Sequence, residues 1–299
     1  VWYESSSQLV GDATIAAFNQ QFPDVKVEQI SEIASSMGAR IIQEAAGKVR
    51  GADVATNGYA AVIPLAERKL VEEIDWVALG ADPKVANTPN TLVTAASIGV
   101  ILYNSDLVSE QDAPATWDAV ADAKWTGKIG IWTLGGNILA PLGAVWGADK
   151  TYEYTERLNK LQPLLYKSNS PLAQQVAAGE IVVGIGLYHT TMPVIERGAP
   201  VKVIVPDPVS VGSLVSFVPS TAANKEGGKL FALWLTSPEG ALAYEKASGR
   251  GNPQVPETQT AKLLVGKTPA EWQPSQISEL LDLTDRINRV LQAGGNTAN

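Results

Sequence analysis

The sequence predicts an α/β protein in which short strands alternate with helices around a doubly wound, largely parallel sheet. First, β-branched or apolar runs recur along the chain, and each leads through a small polar cluster into a segment with apolar residues at helical spacing. Second, such alternation is typical of sheets with helices on both faces. Third, the 299 residues are 45% hydrophobic and only 18% charged, which indicates a well-packed chain with room for one large domain or two lobes.

The first third of the chain contains three strand–helix pairs. "VWY" predicts a strand, and the helix after it has Leu9, Ile15, Phe18 and Phe22 at helical spacing. The next strands are "VKVEQI" and "GADVAT", and the helices that follow them are "SSMGARIIQEAAGKV" and "NGYAAVIPLAERKL". In this order, a helix follows the carboxyl end of each strand.

The remainder of the chain repeats the pattern. The strands are "SIGVILY", "KIGIW", "EIVVGIG", "APVKVIVP" and "GSLVSFVP", and the helices include "PATWDAVADAKWTG", "KTYEYTERLNKLQPLL", "NKEGGKLFALWLTS", "PEGALAYEKASG" and residues 275–293. The segment "SNSPLAQQVAAG" has the clearest helix signals, with Ser170 as N-cap, Pro171 at the first helical position and Gly179 just past the end.

Composition excludes several classes of protein. The net charge is −8 and no Lys/Arg cluster could neutralise phosphates, which argues against nucleic-acid binding. No apolar run approaches the roughly 20 residues that span a bilayer. The chain has no cysteine, so disulfides, zinc thiolate sites and thiol catalysis are excluded. No basic and apolar leader precedes "VWYESSS", so either the protein is made without a signal or the sequence is that of a processed form.

Sequence motifs give little support to an enzyme. The chain has no G-x-S-x-G elbow and no phosphate-binding P-loop, and "GIGLYH" lacks the last glycine of a dinucleotide-binding motif. A serine hydrolase-like enzyme would have to use His189, the only histidine. That histidine follows a predicted strand, where it is either a ligand contact or an ordinary hydrogen-bonding residue.

A binding site is predicted at the strand-to-helix turns. Ligands of parallel sheets bind outside the carboxyl ends of the strands, where helix N-termini favour anions. Any one polar turn is explained equally well as an N-cap, but one sheet edge would present most of them to one ligand. The candidate ligand-binding residues are Ser5, Ser6, Ser7, Ser36, Thr56, Asn57, Gly135, Gly136, Asn137, Ser168, Asn169, Ser170, Tyr188 and His189.

Two of these turns have a specific expected chemistry. In "SNSPLAQQ", the free N–H groups of Leu172 and Ala173 are expected to face an anion. In "TLGGN", Gly135 and Gly136 would let the backbone approach the ligand, although Pro141 delays the following helix.

Two other kinds of side chain have two interpretations each. Arg40 forms either a surface ion pair with Glu44 or a contact to an anionic ligand. The aromatic residues Trp2, Tyr3 and Trp132 either stack on a ligand ring or pack in the core.

The order and spacing of several segments resemble those of a known family. These segments are "VWYESSSQLVGDATIAAFNQQFPDVKVEQI", "GADVATNG", "IGVILYNSDLV", "PATWDAVADAKWTGKIGI", "SNSPLAQQVAAGEIVVGIGLYH", "GAPVKVIVP" and "LTSPEGALAYEKASGRGNP". The sequence is similar over nearly its whole length to extracellular solute-binding proteins of ABC importers. The branch it resembles is that of the ferric-binding proteins, which also includes binders of thiamine, phosphonates and sugar phosphates.

The resemblance implies a two-lobed, type II periplasmic-binding-protein fold, with a mixed sheet and flanking helices in each lobe and crossing strands as the hinge. Because "SIGVILYN" and "GSLVSFVP" are long enough to cross, we expect residues 1–100 and 213–275 in lobe 1 and residues 101–212 in lobe 2. Residues 276–299 would form a helix packed on the outside. The implied protein is a periplasmic or extracellular monomer without enzymatic activity or cofactor, which delivers its solute from an interlobe cleft to a membrane permease.

The sequence departs from the resembled family at the iron ligands. Ferric-binding relatives use a histidine after the first strand, a glutamate after the "ADV" strand and a tyrosine pair, and these positions fall near Ser6, near Gly58 and at Tyr188 beside His189. Ferric iron prefers several anionic oxygens, so no metal site is expected. The turns that bind the accompanying anion in those relatives correspond to "TLGGN" and "SNSP".

Two classes of solute follow from this comparison. The expected solute is a small organic anion, a carboxylate or a phosphate ester, bound by uncharged donors. The alternative is a cationic or neutral ring such as thiamine, with Trp2, Tyr3, Trp132 and Tyr188 as the walls of the site.

Overall fold

The computed structural model describes residues 1–32, 34–86 and 88–297. The strands are β1 (Trp2–Glu4), β2 (Gln29–Ser31), β3 (Val54–Gly58), β4 (Leu92–Asn104), β5 (Ile129–Trp132), β6 (Leu164–Tyr166), β7 (Val183–Leu187), β8 (Val201–Ile204), β9 (Val209–Phe217), β10 (Pro269–Ala270) and β11 (Asn296–Thr297). The helices are α1 (Gln8–Gln21), α2 (Ala34–Gly47), α3 (Tyr59–Glu67), α4 (Trp117–Val120), α5 (Gly136–Leu139), α6 (Gly143–Trp146), α7 (Ala148–Lys160), α8 (Asn169–Ala178), α9 (Tyr188–Glu196), α10 (Lys225–Thr236), α11 (Pro238–Ser248), α12 (Gln259–Leu264) and α13 (Ile277–Gly294).

The chain forms two compact units. Unit 1 contains Val1–Ala96 and Ser213–Leu263, and unit 2 contains Ser97–Gly212 and Leu264–Asn299. Residues 264–275, expected in lobe 1, therefore belong to unit 2. The physical reason is that β10 pairs with β9 through Pro269 and Val209, and that Trp272 Nε1 donates to Ala140 O at 2.9 Å.

Unit 1 is built on a parallel core of three strands. β1 lies between β2 and β3 and is parallel to both, with Trp2 opposite Gln29 on one side and Val54 on the other. β9 is antiparallel to β3, so the sheet is mixed. Aromatic rings join the sheet to α1 and α10, since Phe231 lies 5.1 Å from Trp2 and 4.9 Å from Phe18, measured between ring centroids.

Unit 2 has the same arrangement. β5 lies between β6 and β7 and is parallel to both, whereas β4 is antiparallel to β7 and to β8. The long helix α13 packs on α5 and α7 and buries Leu283, Ile287 and Leu291 in the core of this unit. These mixed sheets with flanking helices confirm the predicted α/β class.

Some elements differ from the prediction. The expected helix through "KTYEYTERLNKLQPLL" ends at Lys160, because Gln162 has a positive φ of 53° and Pro163 follows. The last residues of that segment form β6 instead. Only the end of "VKVEQI" is a strand, and α12 was not predicted.

Candidate functional site

The predicted residues of unit 2 lie at one edge of its sheet. Because β5, β6 and β7 are parallel, their carboxyl ends meet at the same edge. The segments 133–137, 167–170 and 188–191 follow these three strands directly. This edge therefore carries Gly135, Gly136, Asn137, Ser168, Asn169, Ser170, Tyr188 and His189. That they contact a ligand stays a prediction.

Helix α8 begins two residues earlier than predicted. Its N-cap is Ser168, in an extended conformation, and Pro171 occupies the third helical position. The N–H groups without an intrahelical partner are thus those of Asn169 and Ser170, not those of Leu172 and Ala173. The predicted end of the helix is confirmed, since Gly179 has the left-handed φ of 77°.

Asn169 is the most unusual side chain at this helix start. It is only 7% exposed, and its Oδ1 has no hydrogen-bond partner among the described residues. A buried amide oxygen without a donor costs about 1–3 kcal/mol. The neighbouring Ser168 and Ser170 side chains are exposed. The start of α8 therefore offers backbone N–H groups and polar side chains to a ligand.

The two glycines of "TLGGN" are explained by the packing of α13. The Gly136 N–H donates to Asn288 Oδ1 at 2.9 Å, and a Cβ atom on Gly136 would lie 2.5 Å from Thr284 O. A Cβ on Gly135 would lie 2.8 Å from Leu291 Cδ1. These contacts give both glycines a packing role, and the Gly136 N–H is already donated to α13; a close approach of this turn to the ligand stays a prediction.

The neighbouring residues after β5 and β7 bond within their own segments. The exposed Asn137 donates from Nδ2 to Leu134 O at 3.1 Å. Helix α9 begins at Tyr188, immediately after β7, and Thr190 and Thr191 donate their hydroxyls to Leu187 O at 3.0 and 2.9 Å. Tyr188 and His189 are half-buried at the first turn of this helix.

In unit 1, the carboxyl ends of β1, β2 and β3 also meet at one edge, and Ser6 is anchored there by its backbone. Its N–H donates to Glu4 Oε2 at 2.5 Å, and its carbonyl accepts from Ser31 Oγ at 2.9 Å and Gln29 Nε2 at 3.3 Å. Glu4 is fully buried and accepts a second hydrogen bond from Tyr244 OH at 3.0 Å. The backbone N–H and carbonyl of Ser6 are therefore both used within unit 1.

Thr56 and Asn57 are structural residues. Thr56 is fully buried, where its Oγ1 accepts from Trp2 Nε1 at 3.0 Å and bonds to Ser216 Oγ at 2.8 Å. Asn57 is 5% exposed, donates from Nδ2 to Ala34 O at 2.8 Å and accepts from the Gly58 N–H at 2.8 Å. Thr56 is thus removed from the predicted site, because its hydroxyl joins two strands inside the unit.

Arg40 is paired with two carboxylates. Its Nε donates to Glu44 at 2.9 Å and its Nη1 to Glu32 at 2.8 Å, and the guanidinium lies 4.5 Å from the centroid of the Tyr3 ring. Tyr3 OH also donates to Glu44 at 2.7 Å, and burial together with this carboxylate raises the pKa of Tyr3 to about 12. The ion-pair interpretation of Arg40 holds, with Glu32 as an additional partner. Ser36 Oγ donates to the same Glu32, at 2.5 Å.

Two of the aromatic residues that were expected to line a site for a ring solute are instead part of the core of unit 1. Trp2 and Tyr3 are 0% and 1% exposed. Trp132, by contrast, is half-buried at the end of β5 and donates from Nε1 to Lys167 O at 3.1 Å, next to the start of α8.

One charged residue of the unit 1 edge was missed. Arg250, in the loop after α11, donates from Nη1 to Ser6 Oγ at 3.4 Å across 244 residues of sequence. The only local signal is that an arginine lies between two glycines just after a helix.

Neither metal ligands nor membrane segments are found in the described residues. No three His, Asp or Glu side chains in the described ranges are arranged to bind a metal ion. Over the same ranges, no helix combines the length and apolar character that crossing a bilayer would require.

The fold is that of type II periplasmic binding proteins. Solved structures with similar folds include iron-bound HitA from Pseudomonas aeruginosa, with 20% identity, a TM-score of 0.77 and coverage of 96% of this chain and 98% of that one. A substrate-binding protein of an ABC transporter from Agrobacterium tumefaciens is 18% identical, with a TM-score of 0.80, and the match covers 97% of this chain and 94% of that one. AfuA from Actinobacillus pleuropneumoniae, solved with fructose-6-phosphate, is 22% identical, with a TM-score of 0.75, and the match covers 98% of this chain and 96% of that one.

The family is shown by the sequence itself. The family model for bacterial extracellular solute-binding proteins matches residues 13–271, and the chain belongs to this family. No curated protein matches the chain in sequence. The protein is thus a bacterial extracellular solute-binding protein and not an enzyme, which confirms the family resemblance seen in the sequence and removes the hydrolase hypothesis.

Proposed function

We propose that this protein captures a small organic anion, a carboxylate or a phosphate ester, and delivers it to a membrane permease. It does so as a monomer in the periplasm or outside the cell. The observation that carries the proposal is the start of α8, where the backbone N–H groups of Asn169 and Ser170 precede the first intrahelical hydrogen bonds and can donate to an anion. The buried Asn169 Oδ1 beside them has no partner among the described residues and, as an acceptor, suits a hydroxyl donor on the same solute.

The physical chemistry of this helix start favours an anion. The positive end of the helix dipole contributes about 0.3–1 kcal/mol toward a negative charge, and each charge-assisted hydrogen bond contributes about 1.5–3 kcal/mol. Two or three such bonds support micromolar binding after the costs of ordering are subtracted. Ser168, Tyr188 and His189 lie at the same sheet edge and supply further polar contacts.

The residues present also separate this proposal from iron transport. Ser6, Gly58 and a single tyrosine stand where the resembled ferric binders have their ligands, and a hard cation requires anionic oxygens. In unit 1, Ser5 and Ser7 have hydroxyls at the corresponding edge, whereas the Ser36 hydroxyl is donated to Glu32. That both edges bind one solute remains a prediction of the sequence.

The test is a thermal-shift and calorimetric comparison of phosphate, citrate, fructose-6-phosphate and thiamine. We expect at least one of the anions, and not thiamine, to raise the melting temperature of the wild-type protein. The double substitution Asn169→Ala/Ser170→Ala should weaken that binding tenfold or more and leave the protein folded. Ser109→Ala, an exposed hydroxyl that bonds to Asp112 in the same unit, is the matched control and should bind normally.

A cationic or neutral ring remains the second candidate because Trp132 is half-buried beside the start of α8. Thiamine binding by the wild-type protein, with unchanged affinity in the double variant, would favour this candidate.

A further inference from the structure

Trp132 differs from the other tryptophans of the chain in its surroundings. Six of the eight tryptophans are buried, and the other two, Trp132 and Trp146, are half-buried. Trp146 packs on the core of unit 2, with its ring centroid 5.4 Å from that of Tyr154 and 5.3 Å from Lys150 Nζ. Within the described ranges, Trp132 belongs to neither core cluster of unit 2 and has no ring or cation over its faces. Part of the Trp132 indole is therefore apolar surface that the packing of unit 2 leaves uncovered.

The Trp132 side chain lies on the face of the sheet that α8 covers. Trp132 is the last residue of β5 and lies opposite Tyr166 of β6. Gly130, two residues earlier in β5, is on the same face, and a Cβ atom on Gly130 would lie 2.5 Å from Leu172 Cδ1 of α8. Because Trp132 is two residues nearer to the carboxyl edge, its indole lies at the start of α8 and not beneath the middle of the helix.

The orientation of this indole is fixed before any solute binds. Trp132 Nε1 donates to Lys167 O at 3.1 Å, and Lys167 immediately precedes Ser168, the N-cap of α8. The Gly135 N–H donates to Trp132 O at 2.8 Å, which closes a turn in which Leu134 is 41% exposed. The indole N–H is thus satisfied, and the ring and Leu134 add apolar surface to this strand end. A ring that is already positioned lowers the ordering cost of binding.

We propose that Trp132 is a specificity-determining residue and that the solute is an acid with a flat aromatic ring. The ring stacks on the indole, and the acidic group accepts hydrogen bonds from the start of α8. The inference rests on the proposed function and deepens it, because it names the uncharged part of the solute. Offset stacking of two rings adds affinity beyond the burial of apolar area. An aromatic ring suits this surface better than a sugar, because each buried sugar hydroxyl needs a hydrogen-bond partner, and Trp132 and Leu134 offer none.

The experiment compares three phosphate monoesters with the full chain in a calorimeter. Methyl, cyclohexyl and phenyl phosphate share one acidic group, and only the phenyl ester has a flat aromatic ring. We expect phenyl phosphate to bind about tenfold or more tightly than methyl phosphate and about threefold more tightly than cyclohexyl phosphate. The cyclohexyl ester separates stacking from the burial of an apolar body of similar size.

Substitutions of the indole test where the ring binds. Trp132→Leu should reduce the preference for phenyl over methyl phosphate to about threefold or less, and Trp132→Phe should retain part of it. Trp146→Leu is the matched control, because Trp146 is the other half-buried tryptophan and also lies in unit 2. This variant should keep the full preference. Unfolding curves without ligand will show that each variant is folded.

A second measurement does not depend on affinity in a variant. The indole ¹⁵N–¹H signal of Trp132 should shift in the ring current of added phenyl phosphate, and that of Trp146 should not. Equal affinity for phenyl and methyl phosphate, an unchanged preference in Trp132→Leu, or an unmoved Trp132 signal would overturn the inference.

The outcomes also separate this inference from the proposed function. If Asn169→Ala/Ser170→Ala weakens the binding of all three esters and the wild-type protein shows no preference for the phenyl ester, the inference fails and the proposed function stands. If the wild-type protein binds neither these esters nor phosphate, citrate and fructose-6-phosphate, both fail.

Discussion

Replacing Gly136 by alanine tests whether "TLGGN" is shaped by helix packing or by a ligand. The new Cβ would lie 2.5 Å from Thr284 O and 2.8 Å from Asn288 Oδ1. A backbone carbonyl cannot rotate away, so α13 must move and the bond from the Gly136 N–H to Asn288 is strained or lost. Overpacking costs about 1–3 kcal/mol and the lost hydrogen bond about 1 kcal/mol, and reduced freedom of the unfolded chain offsets about 0.4–1 kcal/mol.

The net expectation is a loss of about 1–3.5 kcal/mol in the free energy of unfolding. Urea unfolding followed by circular dichroism will measure this loss, and hydrogen exchange should show faster exchange in α13. The matched control is Gly38→Ala in α2, where the new Cβ would lie 3.7 Å from Ala61 O, an ordinary contact. There alanine should stabilise the protein by about 0.5–1 kcal/mol. A Gly136→Ala protein within about 0.5 kcal/mol of wild type would refute the packing explanation.

Three further predictions follow from other parts of the chain. Asn104 Nδ2 donates to Val176 O at 2.8 Å, and its Oδ1 accepts from the Asp106 N–H at 2.9 Å. Asn104→Ala should therefore lower the free energy of unfolding, measured in urea, by about 2–4 kcal/mol. A loss below about 0.5 kcal/mol would contradict the structural role of these two hydrogen bonds. Because the pKa of Tyr3 is raised to about 12 in the folded state, above the usual value of about 10, its contribution to stability is complete below pH 10 and is lost as the pH rises toward 12. Urea titrations across that range should show this loss in wild type and not in Tyr3→Phe; the same decline in both proteins would refute it. Addition of ferric citrate should produce no tyrosinate-to-iron absorption band, and a visible band that Tyr188→Phe abolishes would restore the iron hypothesis.

Local rules predicted α8 well at one end and less well at the other. Gly179 ends the helix because a left-handed residue there favours glycine, and this signal is independent of the rest of the fold. The start was misplaced because Ser168 and Ser170 are equally good N-caps and proline is tolerated throughout the first turn. Only the path of the chain after β6 selects Ser168.

Strand order predicted which turns share a sheet edge, but not the hydrogen-bond partners of the residues in those turns. The carboxyl ends of parallel strands define the two edges, so the turns that lie there follow from strand order alone. Strand order does not predict the hydrogen-bond partners of Thr56, Gly136 and Ser6. Those partners are Ser216, Asn288 and Arg250, which lie 152 to 244 residues away in sequence. Hydrophobic periodicity carries no information about such distant pairs.

The position of α13 determines when each unit can complete its core during synthesis. Unit 1 has all its residues once position 263 has been made. Unit 2 must wait for Leu283, Ile287 and Leu291, which fill its core from the last helix. At elongation rates of about 5–20 residues per second, this delay amounts to a few seconds, during which the apolar faces of α5 and α7 lack their cover. A chain released before residue 291 would therefore leave one unit foldable and the other open to proteolysis.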